Sequence, residues 1–169
     1  MRKLIIGCIA VLFMVACQET ETKKSDFTGN ETTYALKPGS PYNIDGTVTF
    51  KEKTDGTALI TLKLNGTDGN TQHPVHLHLG NISTDGAAVA ALLNPVEGST
   101  GESETNLKQL ADESLITYKE LLQLDACIKV HLSITGPDQK VILAGGNIGK
   151  AASDDTSGGR LGFGVCSSL

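Results

Sequence analysis

The chain has 169 residues and no tryptophan, only seven Phe and Tyr together, two Met, five Pro and four Cys. So few aromatic residues exclude a core built on large rings, and four Cys exclude a disulfide-dense scaffold. No apolar run reaches the eighteen or more residues needed to span a bilayer as a helix; the longest is Leu4 to Ala16. Positive charge is also scarce, with 14 basic residues against 19 acidic ones, and two of the 14, Arg2 and Lys3, precede that apolar run. Without residues 1–16 the balance becomes 12 against 19, a net charge of −7. Nucleic acid and anionic lipid headgroups are therefore excluded as expected partners of the folded part.

What is present begins with an address. Arg2-Lys3 followed by Leu4–Ala16 has the n-region and h-region of a secretory signal. It ends in Met14-Val15-Ala16-Cys17, which resembles the bacterial lipobox, with Met14 departing from the usual Leu and Cys8 giving a weaker second match. The resemblance implies a signal peptide over 1–16, lipidation of Cys17, and anchorage to the lipid bilayer of a bacterial cell envelope. The expected location is the outer membrane, on its periplasmic or its outer face. Residues 18–33 (QETETKKSDFTGNETT) are polar and nearly free of large apolar groups, so 17–33 is expected to be a lipidated cysteine and tether. Residues 34–169 are left as one domain. Its two cysteines, Cys127 and Cys166, are expected to pair outside the cytoplasm.

From Asp45 onward, short alternating runs are broken by Gly, Asn, Asp and Pro. Strands are predicted over 46–50, 58–64, 75–79, 87–93, 128–134, 140–143 and 161–165, the first two joined through a turn containing Asp55-Gly56. With almost no helical periodicity, this predicts an all-β sandwich. One short helix is predicted over 118–124, because Thr117-Tyr-Lys-Glu120 is a capping box followed by three leucines. Gly145-Gly146 and Gly158-Gly159 are predicted to be turns.

All four histidines fall in two places, His73-Pro-Val-His76-Leu-His78 and Ile128-Lys-Val-His131. Strand parity puts His76 and His78 on one face, with Val75, Leu77 and Leu79 on the other. The same parity turns His131 away from Ile128, Val130, Leu132 and Ile134, and gives Lys129 the direction of His131. If the two strands are neighbours, three imidazoles converge on the outer face of one sheet. An H-x-H pair with a distant third His suits Cu, Zn, Ni or Fe; solvated histidines on an outward face fit the same spacing.

Three further stretches carry a family resemblance: GTVTF with TLKLNGTDGNTQHPVHLHLG, LITYKELLQLDACIKVHLS, and VILAGGNIG. Together they resemble the CHRD domain of bacterial lipoproteins, over most of residues 45–149. More distantly the chain is similar to the copper/zinc superoxide dismutase fold, an eight-stranded Greek-key β-barrel or sandwich. His73-Pro-Val-His76-Leu-His78 resembles the dismutase strand His-Gly-Phe-His-Val-His, and Gly159-Arg160-Leu161-Gly-Phe-Gly-Val165 resembles its closing strand. This likeness implies copper ligands at His76, His78 and His131, a supporting histidine at His73, and an anion-guiding arginine at Arg160. It also shows departures. Leu92 stands where the dismutase has its metal-bridging His, and no His lies between Asn94 and His131, so a binuclear copper–zinc site is excluded. Two functions remain open: a tethered, non-enzymatic module holding one copper or zinc ion, and a copper-dependent dismutase-like enzyme in which Arg160 would be catalytic.

Overall fold

The computed structural model describes residues 25–153 and 162–164. Within them the chain forms eight antiparallel strands: β1 (Phe27–Pro38), β2 (Asp45–Lys53), β3 (Ala58–Asn65), β4 (Gln72–Leu79), β5 (Val89–Glu97), β6 (Glu102–Leu107), β7 (Asp125–His131) and β8 (Ile142–Ile148). They close into a barrel in the order β1-β2-β3-β6-β5-β4-β7-β8. Consecutive strands β4, β5 and β6 are flanked by β3 on one side and β7 on the other, which is a Greek-key arrangement. The barrel closes through two thin seams. In register, β1 meets β8 only at Lys37–Gly145 and Pro38–Ala144, and β5 meets β6 only at Glu97–Glu102. Two four-stranded halves thus face each other across the core, so an all-β sandwich pattern and a closed barrel describe the same molecule.

The core follows from alternation. Val48 and Phe50 of β2, Ile60 and Leu62 of β3, Val75 and Leu77 of β4, and Ile128 and Val130 of β7 point inward and belong to one apolar cluster. The β2–β3 hairpin turns at Asp55-Gly56, where Gly56 has φ 83° and the Asp55 carboxylate accepts from the Thr57 N–H at 3.0 Å. The capping box forms as expected. Thr117 Oγ1 accepts from the Glu120 N–H, and the Glu120 carboxylate accepts from the Thr117 N–H at 2.8 Å. The helix it starts, α1, covers Tyr118–Leu121 rather than 118–124. Leu122 and Leu124 lie past its end, partly buried against the core.

Several expectations are corrected. β1 begins at Phe27, inside the stretch read as tether. Its first residues are exposed and contribute almost nothing to the core, so the strand is held instead by ladder pairing with β2 and by Thr28 and Asn30, which donate to the Glu52 carboxylate at 2.8 and 2.7 Å. β6 was not expected at all; its inward residues include Ser103 and Thr105, polar groups that hide the alternation. β5 runs on through Asn94-Pro95 to Glu97. Residues 137–140 form a 3-10 turn, and a second helix, α2, spans Gly149–Ser153.

Gly145 and Gly146 are not a turn but the middle of β8. A Cβ at Gly146 would stand 2.2 Å from the Ala35 carbonyl oxygen, and one at Gly145 would lie 2.7 Å from the Ile128 carbonyl oxygen. Glycine is required here by close backbone approach rather than by chain reversal. Leu79 and Ile134, expected in the core, are exposed because each lies at or beyond the end of its strand. Gly162–Gly164, expected within a strand, adopt none.

Candidate metal centre

β4 and β7 are direct neighbours, with Val75 opposite Val130, His76 opposite Lys129 and His78 opposite Cys127. The pairing brings His76 and His78 onto the same outward face as His131. The donor nitrogens of the three histidines all lie within 4.8 Å of one another, and among the described residues no other group of three such side chains does so. Ring centroids are 4.6 Å apart for His76–His131, 5.7 Å for His76–His78 and 6.5 Å for His78–His131. An ion at the usual 2.0–2.1 Å from each nitrogen in tetrahedral geometry needs donors about 3.3 Å apart. The cluster therefore needs a contraction of at most about 1.5 Å.

The face is outward but covered. His78 is 1% exposed and His131 2% exposed, while His76 remains half-buried. The segment between β4 and β5 folds over the sheet and buries Ile82, whose N–H donates to Asn147 Oδ1 at 2.7 Å. Gly164 adds to the cover, donating its N–H to the Ile82 carbonyl at 2.9 Å. Solvated, outward-facing histidines are thus not what the fold provides for His78 and His131.

Two carbonyls fix the tautomers. His78 Nδ1 lies 2.9 Å from the Ala87 carbonyl oxygen and His131 Nδ1 lies 2.8 Å from that of Gln139. A carbonyl can only accept, so in the neutral rings the proton sits on Nδ1 and the Nε2 lone pair is left for a metal. His78 Nε2 is buried and has no hydrogen-bond partner. An orphaned imidazole nitrogen in such a place is costly in an ordinary core, and it is what a metal ligand looks like.

Electrostatics favour the neutral, ligating form. His76 is pushed down to about 4, first by burial and then by repulsion from His131 and His78. Burial is also the main cause lowering His78 and His131; the carbonyls of Ala87 and Gln139 work the other way, and Lys129 lowers both further.

Lys129 shares the outward face of the histidines, where its charge would oppose a cation unless it bent to solvent. It does not reach solvent: it is 0% exposed, and its Nζ donates to the Gly164 carbonyl at 2.9 Å. Among the described residues the ammonium, close to the histidines, is met by this backbone dipole and by no carboxylate. His73 is buried and lies outside the group of three; its Nδ1 is 3.1 Å from the Leu132 carbonyl, so it holds the chain just beyond His131 rather than bonding a ligand ring.

Leu92 is the register partner of His76 on β5 and is 62% exposed. Beside it a cavity of about 320 Å³ opens onto His76 and His131. No sequence signal marked this cavity, because its walls come from four separate segments.

No family model, curated protein or solved structure matches the chain. Arg160, Cys17 and Cys166 lie outside the described residues; Cys127 is buried on β7.

Proposed function

We propose that this chain is a lipid-anchored protein of the bacterial cell envelope, of the CHRD type, whose barrel holds one copper or zinc ion on His76, His78 and His131 as a non-enzymatic binding module. The observation that carries the metal reading is the buried, partnerless Nε2 of His78 beside two further imidazoles. Three neutral nitrogen donors match both Cu2+ and Zn2+, and a bound ion would supply a Lewis-acidic centre with a coordination position left for an outside ligand. The protein's own part is to hold two of the three rings in one tautomer through Ala87 and Gln139 and to exclude water from His78 and His131.

The dismutase-like alternative is supported by the Greek-key strand order and by the access to His76. Leu92 beside His76 weighs against it. Where that enzyme needs a histidine to release copper on reduction and to deliver a proton, this chain offers an alkyl group that can do neither.

The test is metal content after reconstitution of the full chain with Cu2+ and with Zn2+, followed by superoxide turnover. One equivalent of metal, lost in His78→Ala and without turnover, supports the module. Turnover abolished by the same substitution would establish the enzyme instead, and absence of bound metal would overturn the site.

A further inference from the structure

The cavity beside the histidines has a composition that selects its ligand. It measures about 320 Å³, near the lower end of the volumes that hold small organic molecules. His76 and His131 form one wall, while Pro74, Leu92, Pro95 and Ile134 contribute apolar surface. Leu92 and Ile134 are 62% and 72% exposed, which is a poor use of large apolar side chains unless something covers them. None of the described residues that line the cavity is charged. Apart from the histidines, the polar side chains that line it are uncharged: Gln72 donates its amide to Glu97 at 2.7 Å, Ser133 carries a hydroxyl and Gln139 an amide. Lys129, the nearest buried cation in sequence, does not line it and is turned to the Gly164 carbonyl.

These observations favour a ligand with an apolar part over a small, fully hydrated one. A small hydrated anion entering here would lose its water against Leu92, Pro95 and Ile134 and, the ion itself apart, would meet no cationic side chain among the lining residues. A neutral, mainly apolar molecule loses little by the same transfer and covers the exposed side chains. Its one polar contact would be made at the wall formed by His76 and His131, two of the three residues that would hold the ion.

We propose that this cavity is a binding site for a neutral small molecule with an apolar ring or short chain and a single nitrogen or oxygen donor, which ligates the metal held by His76, His78 and His131 while its apolar part lies against Leu92 and Ile134. The inference rests on the metal reading above and adds to it the class of ligand.

The test compares 4-phenylimidazole with imidazole as ligands of the Cu2+-loaded full chain. Copper stoichiometry is measured first; each ligand is then titrated while the electron paramagnetic resonance and visible absorption of Cu2+ are followed. The two probes share the imidazole donor and differ by one phenyl group, so the ratio of their affinities, divided by the same ratio for aqueous Cu2+, reads the apolar cavity. Phenylimidazole should bind about ten- to a hundred-fold more tightly than imidazole, as burial of a ring implies. The ratio should fall toward one in Leu92→Ser combined with Ile134→Ser, both at exposed positions. A ratio near one in the native chain overturns the proposal while leaving the metal site standing. A high ratio that survives the double substitution also overturns it, since the ring must then lie elsewhere. Absence of copper from the protein overturns both readings.

Discussion

Lowering the pH from 7 to 5 separates a covered three-histidine site from a solvated one. A solvated imidazole with a pKa of about 6.5 is protonated about thirty to one at pH 5. Each such ligand then weakens metal binding about 25-fold relative to pH 7, and three of them together by about 10⁴-fold. In the barrel His76 is pushed down to about 4, so at pH 5 protons compete with the metal for this ligand by only about a tenth of its population. That removes one factor of about 25 and leaves a ceiling of about 600-fold. His78 and His131 are also lowered, so the actual loss should fall below that ceiling. The assay is competition against a chromophoric chelator at pH 7 and pH 5, corrected for the chelator's own protonation. A loss near 10⁴-fold would refute the reasoning, because it would mean that the segment over the sheet does not exclude water from the rings. Linkage gives the metal-free protein a related signature. Between pH 6.5 and about 4 the unfolded chain takes up protons that native His76 refuses, so stability must decline as the pH falls through this window.

Three other outcomes follow from particular contacts. Asn147→Ala leaves the buried Ile82 N–H without its acceptor; it should cost about 1–3 kcal/mol in denaturant unfolding and weaken metal binding, since the segment it anchors also supplies the Ala87 carbonyl to His78. Lys129→Met removes a buried charge whose repulsion reaches His78 and His131, and should tighten metal binding by about tenfold in the chelator assay. Gly146→Ala places a methyl group 2.2 Å from the Ala35 carbonyl oxygen, where β8 passes β1; it should destabilise by about 1–3 kcal/mol and lower the melting temperature by several degrees in a calorimeter.

The legible parts of this protein are those in which a local rule agrees with the tertiary fold. Val75, Leu77, Ile128 and Val130 alternate with His76, His78 and His131, and the inward set is buried as the period of two requires. Thr117 and Glu120 form their capping box because its hydrogen bonds lie within four residues. Where tertiary contacts override the local rule, composition points the wrong way. Gly145-Gly146 has the composition of a turn, yet the backbones of Ile128 and Ala35 pass so close that only glycine fits a straight strand there. β1 has the polar composition of a tether, yet Glu52 holds Thr28 and Asn30 and the neighbouring strand supplies the ladder.

The same distinction applies within the site. Which residues would converge was readable from parity, because parity is local. How they are covered was not, because the cover comes from Ile82, Ala87, Gln139 and Gly164, residues with no sequence feature that ties them to a histidine. That cover decides the chemistry. It makes three outward imidazoles neutral, with two of their tautomers set, it brings the Lys129 ammonium under the same roof, and it leaves His76 open to an apolar cavity that His131 also lines. A retained positive charge beside three nitrogen donors would oppose a bound cation, so Lys129 would lower the affinity that these donors could otherwise reach. Lys129→Met therefore tests more than one residue: a gain in affinity with the fold intact would show that the site is tuned below its maximum strength, as suits a centre that exchanges an outside ligand more than one that only stores its ion.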